Sequence, residues 1–167
     1  RLETHGFDFI FDEARFPEPA SMIADMREQG YRLSLWQLPY LNRGTPVYDY
    51  CKQRGYFPVP PEGVDGSRDP VGVIDFSNPE AVAWYQEQLR NLLQMGVAVI
   101  KTDFGENADE NYIYKTIDGA EMHNLYPLLY NAAAYEVCEQ VHGDEALVWG
   151  RSAYAGGQRF PLYWGGD

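Results

Sequence analysis

Apolar residues recur at spacings of three and four in several stretches of the chain, and most of these stretches are followed by a short apolar run of strand length. In residues 20–29, Met22, Ile23 and Met26 mark one helix face, and Gly30 offers a C-terminal stop. Arg32-Leu33-Ser34-Leu35-Trp36 then reads as a strand ended by Pro39. Thr45-Pro46 supplies an N-cap with proline at the first helical position, and Gly55 closes a short helix carrying Val47, Tyr50, Cys51 and Arg54. Residues 58–72, rich in Pro, Gly and Asp, read as one surface loop. Asn78-Pro79 repeats the capping signal, with Val82, Tyr85, Leu89, Leu92 and Leu93 spaced for a helix that runs up to Gly96. Val97-Ala98-Val99-Ile100 follows at once, the unbroken apolar pattern of a parallel strand buried on both faces. A third helix–strand unit repeats the order: a helix over residues 124–141 before Gly143 leads to the strand Ala146-Leu147-Val148-Trp149. Helix and strand in alternation predict an α/β fold with a parallel sheet, and with no repeat or linker the whole of residues 1–167 forms one domain.

An open doubly wound sheet and a (β/α)8 barrel both fit this order, and in both the ligand sits at the carboxyl ends of the strands. Three such ends turn abruptly polar: Lys101 and Asp103, Arg151, and Asp167. Side chains two apart on a strand share a face, so Lys101 and Asp103 reach one site. A cation beside Asp103 favours its ionised form, and Arg151 adds to this if its strand lies next to that of Asp103. Asp167 follows Trp164-Gly165-Gly166, where glycine admits a ligand to the backbone and the aromatic surface favours a protonated carboxyl. One carboxylate and one carboxylic acid are what glycoside hydrolysis uses, the first attacking or stabilising the anomeric carbon, the second protonating the leaving oxygen. The competing reading is a buried Lys–Asp ion pair with Asp167 as a turn or helix cap.

Elsewhere the chemical signals are weaker. Glu106, Asp109 and Glu110 form an acidic loop without the regular ligand spacing of a calcium site and are expected to be solvated. His123 has no second histidine at metal spacing and reads as a satisfied polar side chain; His5 and His142 carry less signal still. The chain has no GxGxxG, P-loop, HExxH or GxSxG motif.

Charge narrows the partners. With 13 Lys and Arg against 25 Asp and Glu, the net charge of −12 and the absence of any basic cluster exclude phosphate-backbone binding, so neither nucleic acid nor an anionic membrane is an expected partner. No apolar run approaches the roughly 20 residues that span a bilayer. Aromatic residues make up 15% of the chain, which beside this acidity suits neutral polyhydroxylated ligands, although aromatics are also core material. Cys51 and Cys138, far apart and outside any CxxC pair, are expected to be buried free thiols.

The run Ile100-Lys101-Thr102-Asp103-Phe104-Gly105-Glu106 resembles the nucleophile motif of glycoside hydrolase family 31, in its bacterial α-xylosidase-like form. Trp164-Gly165-Gly166-Asp167 is similar to that family's acid/base motif, and Met122-His123-Asn124 with Tyr126, and Gly150-Arg151-Ser152-Ala153, resemble segments that lie between the two. Upstream, Phe16-Pro17-Glu18-Pro19 and Trp36-Gln37-Leu38-Pro39-Tyr40 resemble the loop after strand two and the end of strand three. The resemblance implies part of a (β/α)8 TIM barrel, about strands three to six. It implies Asp103 as nucleophile and Asp167 as general acid/base, with Lys101, Arg151, Trp36, Phe104 and Trp164 around the sugar. It further implies a carbohydrate substrate, no metal or cofactor, and a retaining reaction with the carboxyl groups about 5–5.5 Å apart.

The expectation is therefore a retaining α-glycosidase acting on terminal α-xylosides or α-glucosides. A transglycosylase using the same intermediate and a non-catalytic carbohydrate-binding relative are the alternatives. The opening on Arg1 and the stop at Asp167 are expected to mark an excised piece of a longer protein, so a missing leader says nothing about compartment. The lack of an Asn-x-Ser/Thr sequon and the scarcity of cysteine fit a bacterial intracellular enzyme. Oligomeric state is not legible in the sequence.

Overall fold

The structure, a computed structural model, describes residues 8–165. Four strands form one sheet in the order β1 (Ser34–Gln37), β4 (Val99–Thr102), β5 (Val148–Gly150), β6 (Leu162–Tyr163), every neighbouring pair parallel. The expected adjacency of the Lys101 and Arg151 strands is present, with Lys101 opposite Trp149 in the register. Helices α1 (Pro19–Glu28), α2 (Pro46–Arg54), α3 (Pro79–Gln94) and α4 (Gly119–His142) lie between or before the strands.

Local chemistry sets the boundaries. Thr45 caps α2 by accepting the Tyr48 N–H, and Gly55 ends it in the left-handed conformation, φ 67°. Asn78 caps α3 through the Glu80 N–H. In α4 the helix begins five residues before the predicted start at 124, because Asp118 accepts the Ala120 N–H and so caps a longer helix. Gly119 is required there: a Cβ would stand 2.3 Å from the Glu110 carbonyl oxygen. β4 is shifted two residues beyond the apolar run 97–100, since Val97 packs into the core before the ladder with β1 begins.

The loop predicted over residues 58–72 needs correcting. Val71–Val73 is strand β3, paired antiparallel with β2 (Tyr40–Asn42), and Val59 forms an isolated bridge with Ile113. Arg43 braces the turn beneath, donating to the Asp69 and Gly66 carbonyls at 2.6 and 2.8 Å. Polar composition hid these three-residue strands, whose order comes from tertiary pairing.

The core lies between the sheet and helices α3 and α4. Phe76 sits at its centre with ring centroids of Tyr85, Tyr126 and Tyr130 at 5.2–5.4 Å. Tyr126 and Tyr130 are fully buried and donate to the carbonyls of Ile74 and Gln37, so their hydroxyls are satisfied. Much of the aromatic excess is therefore core rather than ligand platform. Cys51 and Cys138 are buried free thiols, as expected, and burial pushes each up to about 12. Among the described residues, no helix is long and apolar enough to cross a membrane.

Candidate active site

Asp103 stands one residue beyond β4, and its backbone N–H still donates to the Gln37 carbonyl of β1 at 3.0 Å. That bond fixes the point where the chain leaves the sheet. Phe104 then adopts φ 60° and Gly105 φ 99°. A left-handed phenylalanine costs on the order of 1–2 kcal/mol. It is held there because its N–H donates to Asp103 Oδ1 at 2.9 Å and its carbonyl accepts from Ser152 Oγ at 2.6 Å. Gly105 has no room for a side chain, since a Cβ would lie 2.9 Å from Ser152 Oγ and 3.1 Å from the Tyr130 ring. The order Asp-Phe-Gly thus has a steric cause: the turn aims the carboxylate out of the sheet and packs the glycine against α4.

Around this carboxylate the structure gathers the side chains named from sequence. Trp36 Nε1 donates to Asp103 Oδ2 at 2.6 Å, with Lys101 Nζ at 3.8 Å from the same oxygen. Arg151 Nη1 lies 3.0 Å from Asp103 Oδ1. Asp103 itself is buried, while Trp36 stays 38% exposed beside it. The Arg151 guanidinium carbon is 3.9 Å from the Phe104 ring centroid, and Lys101 Nζ is 4.0 Å from that of Trp164. These cation–π contacts hold both cations over aromatic faces. Asp167 lies outside the described residues.

Three contributors were not named as site residues by sequence reasoning. Tyr40 accepts the Gly105 N–H at 3.3 Å, its ring centroid is 6.1 Å from that of Phe104, and burial raises its phenol above the ordinary value. Trp149 stands under Lys101 Nζ at 5.4 Å. Glu106 is exposed, as expected, and also accepts from Arg151 Nε and Nη2 at 2.9 and 3.0 Å, a bidentate pair. The turn at Phe104 and Gly105 brings Glu106 back over the neighbouring strand end, a tertiary event with no periodic signal. His123 is satisfied through Nδ1 and the Ala108 carbonyl at 2.6 Å, as expected.

Asn131 of α4 ties the two strand ends together. Its Nδ2 donates to the carbonyl of Ser152 at 3.0 Å and its Oδ1 accepts from the Thr102 hydroxyl. The fold therefore presents a buried carboxylate with two cations, an indole N–H and a backbone N–H around its oxygens, at the carboxyl end of a parallel sheet.

A family model described as "Glycosyl hydrolases family 31 TIM-barrel domain" matches residues 2–167. The chain belongs to that family. An α-xylosidase from Emericella nidulans is 38% identical over 170 residues, covering 96% of this chain and 21% of the relative. An α-xylosidase from Lactiplantibacillus pentosus is 37% identical over 88% of this chain and 21% of the relative. Among solved structures, a family 31 sulfoquinovosidase from E. rectale bound to an aza-sugar inhibitor matches with a TM-score of 0.85 and 26% identity, over 96% of this chain and 26% of that one. The chain thus spans about a quarter of the length of the proteins it matches. The four parallel strands are part of a family 31 barrel, as the sequence motifs led one to expect.

Removing the shortest contact to Asp103 tests its importance. Trp36→Phe keeps an aromatic face but deletes the N–H that reaches Asp103. A hydrogen bond to a charged group contributes about 1.5–3 kcal/mol, so a loss of roughly 10- to 100-fold in kcat/KM is expected in steady-state assays of the full-length protein.

Proposed function

We propose that this segment carries the donor-sugar site of a retaining α-glycosidase, with Asp103 as nucleophile and Asp167 as general acid/base. The observation that carries the reading is the buried Asp103 carboxylate at a strand end, oriented by Trp36, Arg151 and the Phe104 N–H. Asp103 attacks the anomeric carbon while the bond to the leaving oxygen breaks, and Asp167 gives that oxygen its proton. Water then attacks the glycosyl ester, passing a proton to Asp167 and freeing the Asp103 carboxylate. The positive charge of Lys101 and Arg151 favours the returning anion. The indole of Trp36 offers an apolar face to the sugar, with Phe104 and Trp164 holding the cations in place. No metal or cofactor takes part in these steps.

Two α-xylosidases among the relatives make an α-xyloside the favoured donor, and sulfoquinovosidases stand among the relatives as well. The test is release of nitrophenol from aryl α-xyloside and aryl α-glucoside by the full-length protein. Cleavage of either supports the α-glycosidase reading; cleavage of neither by folded protein rules out both donors and leaves another α-linked sugar or a site that only binds. In the sheet order β1 and β6 each have a single strand neighbour, so the outer edge of each is unpaired among the described residues. The 167-residue chain by itself is therefore expected to show less than about 1% of the parent's activity and to self-associate, as read by the same assay and by light scattering.

A further inference from the structure

Arg151 joins two carboxylates of the site by charged contacts from a single guanidinium. Its Nη1 faces Asp103 Oδ1 at 3.0 Å. Its Nε and Nη2 face Glu106 Oε1 and Oε2 at 2.9 and 3.0 Å. A guanidinium is planar and rigid, so a bidentate contact on one edge fixes the direction of the remaining nitrogen. The Phe104 ring, 3.9 Å from the guanidinium carbon, fixes the plane from below. The edge held by Glu106 and the face held by Phe104 together direct Nη1 toward Asp103.

We propose that Glu106 is a positioning residue for the reaction: it acts on Asp103 through Arg151. Glu106 makes no contact with Asp103 in the described hydrogen bonds and ion pairs, and at 44% side-chain exposure it adds little to stability. Without it, the guanidinium is free to turn toward solvent or toward the substrate, and the carboxylate loses one of the groups that orient it. Misplacement of a reacting group by about 1 Å costs on the order of 100-fold.

This inference rests on the proposed hydrolytic role of Asp103, and the experiment separates the two. Wild-type full-length protein is assayed on aryl α-xyloside and aryl α-glucoside, then compared with Glu106→Ala, Glu106→Gln, Arg151→Met and the Glu106→Ala/Arg151→Met double variant. Glu106→Ala is expected to lower kcat by about 100-fold with the thermal midpoint unchanged, and Glu106→Gln, which keeps one acceptor, to recover part of the loss. In the Arg151→Met background Glu106→Ala is expected to have no further effect, because the path through the guanidinium is already cut. An equal loss in both backgrounds overturns the proposal, as does a wild-type value of kcat in Glu106→Ala. A crystal structure of the Glu106→Ala protein reads the same claim without activity: Nη1 is expected to leave Asp103, and an Arg151–Asp103 contact kept at its present length overturns the proposal. Wild type without activity counts against the hydrolytic reading alone, and the crystal structure still decides the role of Glu106.

Discussion

Asp103→Ala is expected to lower kcat/KM of the full-length protein by roughly 10⁴-fold or more, since the group proposed to form the covalent bond is removed. The argument rests on how completely the site is built around this one carboxylate. Each oxygen has a neutral N–H and a cation beside it: Oδ1 has the Phe104 N–H and Arg151, Oδ2 the Trp36 indole and Lys101. Deleting the carboxylate leaves two cations and two N–H groups without their shared partner, so the variant is also expected to bind small anions better than wild type does. Added azide gives a further check. A small anion entering the space left by alanine is expected to attack the anomeric carbon in a single displacement and give the glycosyl azide of inverted configuration, detectable by NMR. Unchanged hydrolysis by Asp103→Ala contradicts the assignment.

The second large effect concerns stability and lies away from the reacting atoms. Asp75, 2% exposed, accepts from the Ser77 N–H at 2.9 Å, the Ser77 hydroxyl at 2.7 Å and the Lys115 N–H at 2.8 Å. Thr116 completes the clasp, its N–H donating to Ser77 Oγ and its hydroxyl to the Ser77 carbonyl. This single carboxylate pins the segment between β4 and α4, the same segment that begins with Asp103, Phe104 and Glu106, to the chain just before α3. Asp75→Ala strands the two buried donors of Ser77 and the part-buried Lys115 N–H, and is expected to cost about 3–5 kcal/mol. Asp75→Asn, which keeps one acceptor, should lose less. The thermal midpoint of the full-length protein and hydrogen exchange at the Lys115 and Thr116 amides measure this. Exchange at those amides no faster in Asp75→Ala than in wild type contradicts the clasp.

How much of this was legible beforehand follows from the range of each interaction. Helices α2 and α3 were readable because their stop and start signals are local: Thr45-Pro46, Gly55 and Asn78-Pro79 act within one turn. The early start of α4 was missed although its cap, Asp118, is equally local, because apolar spacing draws the eye to residue 124 and not to the polar first turn. β2 and β3 were missed for a different reason: three-residue strands gain their order from each other across 28 intervening residues, Asn42 being paired with Val71. Within the site, Lys101 and Asp103 could be placed on one face from strand geometry alone, and Arg151 followed from the order of elements. Trp36 joined them only through the resemblance, since nothing in Arg32-Leu33-Ser34-Leu35-Trp36 says that the indole N–H meets a carboxylate 67 positions later. Glu106 was read as a solvated member of an acidic loop. Its partner is 45 positions away, and only the left-handed turn at Phe104 turns it toward Arg151.

The central claim is that Asp103 forms the bond to the sugar. The most direct measurement incubates the full-length protein with a fluorosugar, an α-xylosyl or α-glucosyl fluoride deactivated on the ring, that forms the glycosyl ester faster than water removes it. Peptide mass spectrometry then locates the label. The account predicts one sugar per protein, carried on Asp103 in the Lys101–Glu106 segment. A label on another residue, or none from a protein that turns over the matching aryl glycoside, contradicts it.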